Sequence, residues 1–145
     1  MKINKLTPNL AVADVRKTVQ FYCEVLDFEL MMAVRDTHEV IDGTQLLEDK
    51  EYVYAMLKKD SVEIAFQRTD TLKEDVSLLD GATIGASAAL YMDGTGLDAW
   101  HETLKNKNIA ITGIKHQWYG VKEFYIRDIN GYVLGFAEQE GTGNQ

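Results

Sequence analysis

The sequence predicts an α+β protein made of two tandem βαβββ modules, which form an open, cup-shaped, eight-stranded sheet with the helices on its convex side. Two observations predict this architecture. The order of one strand, one helix and three strands occurs twice, before and after a polar stretch. Bulky apolar side chains alternate with small or polar ones along the predicted strands, as in a sheet with one covered face. The predicted boundaries are residues 1–67 for the first module, 68–85 for the linker and 86–140 for the second module.

The first module begins with a β-rich segment that contains Pro8 and ends at Val12. Proline cannot donate a hydrogen bond to a ladder, so this segment is predicted either to be an edge strand or to hold Pro8 at a position whose N–H is not paired. A helix follows, which Asp14 caps and on which apolar residues recur at helical spacing. Those residues are Val15, Val19, Tyr22 and Leu26. The remaining strands are predicted at residues 29–35, 51–59 and 61–68, with a long polar loop at residues 36–50.

The linker is predicted to hold a short helix at residues 70–79, and the second module then repeats the order of the first. Its helix lies at residues 95–108, where Thr95 and Asp98 resemble a capping box. Its strands are predicted at residues 86–93, 109–116, 121–128 and 131–138. The last two strands form a hairpin with D-I-N-G as the turn.

Alternation along four of these strands assigns side chains to the two faces of the sheet. The face that packs on the helices is predicted to carry Leu6, Leu10, Val12, Val62, Ile64, Phe66, Ala88, Leu90, Met92, Leu134 and Phe136. The opposite face is predicted to carry Thr7, Asn9, Ala11, Glu63, Ala65, Gln67, Ser87, Ala89, Tyr91, Val133, Gly135 and Ala137. Small residues on a concave face leave a cavity. A glycine inside a strand, such as Gly135, indicates either a bulge or close packing, or room for a ligand.

Composition and charge narrow the range of partners and locations. The net charge of −8 over 145 residues argues against nucleic acid as a partner, because phosphate binding needs a basic patch. No apolar run approaches the roughly 20 residues of a membrane span. The N-terminus lacks the pattern of a signal peptide, so the cytoplasm is the expected location. Cys23 is the only cysteine, which rules out an intrachain disulfide and predicts a small core residue.

Two stretches carry a resemblance to a known family. "NLAVADVRKTVQFYCEVLDFEL" and "WYGVKEFYIRDINGYVLGFAE" resemble the opening and closing stretches of the glyoxalase / bleomycin-resistance / extradiol-dioxygenase superfamily, the vicinal oxygen chelate proteins. The resemblance implies the two-module fold. It does not by itself imply one activity, since this scaffold hosts lyases, dioxygenases, epimerases, thiol transferases and drug-binding proteins.

The resemblance also implies where a metal would be bound. Enzymes of the family hold a divalent metal with His, Glu or Gln from the first and last strands of each module. On this sequence, those positions correspond to Thr7, Glu63, Ser87 and Gly135. Only Glu63 among them coordinates a metal strongly, whereas a catalytic metal generally needs about three protein ligands. The prediction is therefore a site without metal or other cofactor, in which the space at Gly135 is left open.

Aromatic side chains are the other predicted part of the site. Trp118 lies in the polar "HQWYG" turn, where an aromatic wall at a pocket mouth is favoured over burial. Tyr54 and Tyr91 lie on strands. The face of Phe124 depends on the hairpin register: a four-residue turn places it opposite Gly135, whereas a bulge places the next residue there.

The sequence most resembles the non-enzymatic, bleomycin-resistance branch of the family, which implies a metal-independent protein that sequesters a small molecule and does no chemistry; this is the preferred hypothesis. The predicted ligand-binding residues are Glu63, Tyr91, Trp118, Phe124, Gly135, Tyr54, Ser87 and Thr7. A carboxylate in an aromatic cup suits a cationic, planar ligand. No basic residue shares the predicted face of Glu63 on its own strand. Two outcomes are then expected: either hydrogen bonds from residues such as Thr7 or Ser87 stabilise Glu63 with a raised pKa, or a ligand supplies the positive charge.

Two alternatives remain open. One is a divergent metal-dependent lyase or dioxygenase whose ligands come from other positions, such as His38 or His116; the third histidine, His101, lies on the flank of the second helix. The other is a dimeric structural or regulatory module that binds no ligand. Under all three hypotheses the chain is expected to form a homodimer, because open sheets leave strand edges and apolar rims that another chain can cover.

Overall fold

A computed structural model describes residues 1–43, 46–85 and 87–141. The chain forms two compact units, Met1–Ile84 and Gly85–Gln145, each with its own sheet. The α+β class predicted from the sequence is confirmed. The described residues contain ten strands rather than the predicted eight, because a short strand forms in the first long loop and one predicted strand divides in two.

The first unit contains one five-stranded sheet, an α-helix that packs on it and a second, shorter helix. The order of the strands across the sheet is β1-β5-β4-β2-β3, and only β1 and β5 pair in parallel. The strands are β1 (Asn9–Val12), β2 (Glu29–Arg35), β3 (Val40–Asp42), β4 (Tyr52–Lys59) and β5 (Val62–Arg68). The helices are α1 (Val15–Glu24) and α2 (Thr69–Asp75), and a 3-10 turn follows at Ser77–Leu79.

Helix α1 begins as the sequence predicts. The Asp14 carboxylate accepts a hydrogen bond from the Lys17 backbone N–H at 3.0 Å, which satisfies one of the unpaired donors of the first turn. The apolar stripe of the helix is buried against the sheet, where the Tyr22 ring lies 4.7 Å from the Phe66 ring. This contact identifies the covered face of β5, so Gln67, the next residue, lies on the opposite face.

Strand β1 is shorter than predicted. It begins only after Pro8, whose carbonyl oxygen accepts a hydrogen bond from the Ala65 N–H at 2.8 Å. The expectation that Leu6 is a core residue is wrong, since Leu6 is 86% exposed. The prediction of an edge strand is confirmed within the first unit, where β1 lies at the end of the sheet.

The second unit contains the other sheet and helix α3 (Leu97–Lys105). Its strand order is β6-β10-β9-β7, with β8 also paired to β9, and only β6 and β10 pair in parallel. The strands are β6 (Ala89–Asp93), β7 (Ala110–Ile111), β8 (Lys115–His116), β9 (Val121–Arg127) and β10 (Val133–Gln139). The predicted strand at 109–116 is interrupted where the Thr112 hydroxyl accepts the Tyr125 N–H at 2.9 Å.

The predicted capping box at the start of α3 is wrong. Gly96, with φ of 83°, occupies the cap position and has no side chain to contribute. Glu138 of β10 takes over the role, accepting hydrogen bonds from the N–H groups of Leu97 at 3.0 Å and Gly96 at 3.2 Å. A tertiary contact therefore caps this helix, and the proximity of the N–H dipoles lowers the pKa of Glu138.

Candidate functional site

The loop between β9 and β10 decides which side chains meet in the second sheet. Arg127 pairs with Val133, so five residues separate the strands instead of the four predicted. The additional residue is Tyr132, whose backbone N–H donates to the Asp128 carboxylate at 2.8 Å. This one-residue difference places Tyr125, and not Phe124, opposite Gly135.

Phe124 therefore lies on the covered face of the sheet. It is 0% exposed and packs against the ring of His101 on α3, at a centroid distance of 4.7 Å. Phe136 lies 5.3 Å away on the same face. The prediction that Phe124 belongs to the ligand site is thus corrected: the register turns its side chain into the core.

The space at Gly135 is filled by aromatic rings. A Cβ atom at this position would lie 2.5 Å from Cε2 of Tyr125 and 3.1 Å from Cδ1 of Tyr91. Both tyrosines are cross-strand partners of the glycine, one on each neighbouring strand. The expectation of an empty space at Gly135 is therefore wrong: the absence of a side chain admits two tyrosine rings.

These rings surround a carboxylate on the sheet face opposite α3. Glu123 Oε1 accepts hydrogen bonds from the hydroxyls of Tyr119 at 3.0 Å and Tyr91 at 3.1 Å. Glu123 Oε2 accepts one from Tyr125 at 2.8 Å. We call this surface, made of Tyr91, Tyr119, Glu123, Tyr125 and Gly135, the tyrosine face.

The three tyrosine hydroxyls stabilise the negative charge of Glu123. Glu123 is only 4% exposed, and this burial raises its pKa. Hydrogen bonding to the three tyrosines and to Gln117 lowers the pKa by more than burial raises it, so the net shift is downward. The same contact with the carboxylate raises the pKa of Tyr125 to about 12. At neutral pH the cluster is thus one carboxylate with protonated phenols, and no ion pair found among the described residues gives Glu123 a cation.

Three aromatic side chains of this region are open to solvent. Tyr91 is 50% exposed, Tyr119 is 49% exposed and Trp118 is 92% exposed. The Trp118 ring lies edge-on to the Tyr119 ring at 5.3 Å. The predictions that Tyr91 faces away from the helix and that Trp118 escapes burial agree with this arrangement. Sequence reasoning missed Glu123 and Tyr119, although the Y-x-x-x-E-x-Y spacing at residues 119–125 was the available signal.

The first unit presents a different arrangement at the corresponding place. There Gln67 pairs with Ala11 on one side and with Tyr54 on the other, as Gly135 pairs with Tyr91 and Tyr125. Gln67 is buried, accepts a hydrogen bond from Asn9 at 2.9 Å and donates one to Asp75 at 2.8 Å. By register Gln67 is therefore the counterpart of Gly135, whereas the resemblance had pointed to a residue four positions earlier.

That residue, Glu63, already has a cation. Lys5 Nζ lies 3.0 Å from both of its carboxylate oxygens, and Lys58 is its cross-strand partner on β4. The expectation that a ligand must supply the positive charge is wrong for Glu63, because the chain before β1 supplies it. Thr7 lies in the same segment and is half-buried.

The other two predicted site residues are not among the residues that form the tyrosine face. Ser87 is exposed and precedes β6, so it is Tyr91 and not Ser87 that pairs with Gly135. Tyr54 belongs to the first unit, is half-buried, and has a pKa raised by burial.

The histidines make separate contacts. A ring nitrogen of His101 lies 2.8 Å from the Thr112 carbonyl oxygen, and a ring nitrogen of His116 lies 2.9 Å from Glu140. His38 follows β2 with φ of 74°. In the ranges 1–43, 46–85 and 87–141, no group of three His, Cys, Asp or Glu residues is placed to hold a metal ion. In those same ranges, no helix is long and apolar enough to cross a membrane.

Each of the two units has a sheet that a helix covers, and in each sheet the first and last strands pair in parallel. This arrangement defines a two-module α+β protein of the glyoxalase type. The chain belongs to the Glyoxalase/Bleomycin resistance protein/Dioxygenase superfamily, whose family description matches residues 2–136. The resemblance stated from the sequence is thereby confirmed.

Proteins similar to this chain include binding proteins and enzymes. A bleomycin resistance protein of Geobacillus stearothermophilus is 29% identical over 136 residues, covering 91% of this chain and 94% of that protein. The bleomycin-binding protein of Streptomyces verticillus, solved with copper(II)-bleomycin, has a TM-score of 0.60 at 18% identity and covers 97% of this chain and 98% of its own. A glyoxalase-related enzyme from Clostridium phytofermentans has a TM-score of 0.68 at 19% identity, and the match covers 96% of this chain and 97% of that protein. The two structures show a shared fold.

Proposed function

We propose that this chain is a small-molecule-binding protein that sequesters a cationic, planar ligand on the tyrosine face, without a metal. The observation that carries the proposal is the buried, ionised Glu123, whose hydrogen bonds come from neutral phenols. Lys115 of β8 is the cross-strand neighbour of Glu123, but no ion pair joins the two in the part of the chain that the structure describes. A buried negative charge in this position favours a ligand that brings a cation.

Three further observations support the proposal. The exposed rings of Tyr91, Tyr119 and Trp118 offer stacking area beside the charge. Gly135, which the family resemblance matches to a metal ligand, carries no side chain, and tyrosine rings occupy its space. The relatives named bleomycin resistance protein and bleomycin-binding protein match almost the whole chain. The proposal places the protein in the cytoplasm, where a lone thiol stays reduced.

We expect saturable binding that is reported by Trp118. The protein should carry Trp100→Phe, so that the remaining tryptophan is the one at the tyrosine face, and be titrated with bleomycin, with and without copper(II), and with a panel of planar aromatic cations. At least one compound is expected to change the fluorescence saturably and to raise the unfolding temperature. Trp118→Ala, followed by thermal shift, should weaken that compound about fivefold, or roughly 1 kcal/mol, through lost stacking.

Two outcomes would contradict the proposal. If no compound gives saturable fluorescence or a thermal shift, the hypothesis of a module that binds no ligand takes its place. If elemental analysis of protein purified without added metal finds one equivalent of zinc, nickel, manganese or iron, the hypothesis of a metal-dependent enzyme replaces the proposal.

We further propose that the chain forms a homodimer. Strands β1 and β6 each lie at an end of their sheet, and the large apolar side chains of Leu6, Leu78 and Trp118 are exposed. Light scattering at micromolar concentration is expected to give about twice the 16.4 kDa mass of one chain. A single species at the mass of one chain would overturn this proposal.

A further inference from the structure

We propose that the tyrosine face selects a cation without hydrogen-bond donors, such as a quaternary ammonium or an N-alkylated heteroaromatic ring, and that Glu123 acts as a positioning residue without touching it. This inference rests on the proposed function and names the ligand class of the same site. It follows from how the oxygens of Glu123 are already used.

Most of the acceptor capacity of the Glu123 carboxylate is already used. An ionised carboxylate has about four lone-pair sites. Tyr91 and Tyr119 donate to Oε1 and Tyr125 donates to Oε2, so three of these sites are in use. Glu123 is also almost fully buried. Burial and three donating hydroxyls therefore shield this charge from a ligand amine or guanidinium.

Hydrogen bonding to Glu123 strengthens the attraction of the exposed tyrosine rings for a cation. Tyr91 and Tyr119 donate to the same oxygen atom, so their hydroxyls lie side by side, and about half of each side chain remains exposed. A phenol that donates to an anion has a more electron-rich ring, which strengthens its attraction for a cation above its face. The exposed Trp118 ring beside Tyr119 adds a third aromatic surface.

Such a surface favours cations that need no acceptor. A primary ammonium that leaves water must replace three hydrogen bonds, whereas a trimethylammonium group has none to lose. Asp93 is the other carboxylate in line with Glu123, separated from it by Ala137 of β10. Asp93 is exposed, and exposed ion pairs contribute little. Groups of aromatic rings are the arrangement that recognises quaternary ammonium groups elsewhere.

The test compares three naphthalene probes by titration calorimetry on the unmodified chain. They are naphthylmethyl-trimethylammonium, naphthylmethylammonium and the neutral carbon isostere of the first, in which a tert-butyl group replaces trimethylammonium. We expect the trimethylammonium probe to bind at least tenfold more tightly than either of the others. Equal or tighter binding of the primary ammonium overturns the inference, and so does equal binding of the neutral isostere.

Variants separate positioning from mere structural support. Glu123→Gln is expected to remove the preference for the trimethylammonium probe over its neutral isostere, and Asp93→Asn, the matched control, is expected to keep it. Tyr119→Phe frees one lone pair of Glu123, so it should improve the primary ammonium relative to the trimethylammonium probe. If Glu123→Gln weakens the charged and neutral probes equally, or if Tyr119→Phe leaves the ratio unchanged, Glu123 does not position the rings for a cation.

The inference and the proposed function fail differently. If the three probes do not bind but bleomycin or another member of the first panel does, the inference is overturned and the proposed function stands. If nothing in either set binds, both are overturned.

Discussion

Replacing Gly135 with alanine is expected to destabilise the protein and to weaken ligand binding at least tenfold. The new Cβ would lie 2.5 Å from a ring carbon of Tyr125, closer than side chains approach in folded proteins, so the ring must move. Moving it breaks the 2.8 Å hydrogen bond to Glu123. A hydrogen bond to a charged group contributes about 1.5–3 kcal/mol. Alanine recovers roughly 0.5–1 kcal/mol of chain entropy, which leaves a net loss of about 1–2 kcal/mol. Urea denaturation measures the first effect and titration with the best ligand the second.

Gly113→Ala is the matched control, because a Cβ there meets nothing within 4 Å. It should leave stability and affinity nearly unchanged. A double-mutant cycle with Tyr125→Phe tests the cause: once the hydroxyl is absent, Gly135→Ala should cost less. The explanation fails if Gly135→Ala unfolds at the same urea concentration as the unmodified chain, or if the two substitutions are additive.

Replacing Phe124 with alanine is expected to cost about 3–5 kcal/mol of unfolding free energy, the range for removing a buried aromatic ring. The ring is fully buried between His101 of α3 and Phe136 of β10, and the cavity left behind would lie under the helix. Denaturant unfolding measures this loss, and the m-values of the variant and the unmodified chain are compared to check that both unfold in the same way. The result also decides between two roles, since the sequence had placed Phe124 in the ligand site.

A milder variant keeps this second question testable. Phe124→Leu preserves an apolar side chain and is expected to lose less stability while binding the best ligand with unchanged affinity. Trp118→Ala should show the reverse pattern, with little loss of stability and weaker binding, because Trp118 is exposed. Should Phe124→Leu weaken binding as much as Trp118→Ala, the side chain does reach the ligand.

Local patterns in the sequence were sufficient for several features of the fold. Asp14 could be recognised as a helix cap because the hydrogen bond it makes reaches only three residues along the chain. The apolar stripe of α1 and the alternation of β10 and β6 assigned Tyr91 and Gly135 to the uncovered face, because a strand turns successive side chains to opposite sides. Pro8 indicated an edge strand by the hydrogen bond it cannot donate.

Features that depend on contacts distant in sequence could not be predicted in the same way. Glu138 caps α3 from 41 residues away, and Lys5 reaches Glu63 across 58 residues. No periodicity along the chain encodes which charged side chains will meet after folding. The expectation that Glu63 awaits an external cation was wrong for this reason.

The sequence alone determined the class of fold, the family resemblance and the two-faced character of each sheet, because these depend on spacings within single elements. The tertiary structure decided what fills the space at Gly135. One residue in the loop, Tyr132, sets the register of β9 against β10, and a shift of one position exchanges the faces of every side chain on a strand. With that register, Tyr125 and Tyr91 meet over the glycine and Glu123 is buried among phenols. With the other register, Phe124 would have faced the same space.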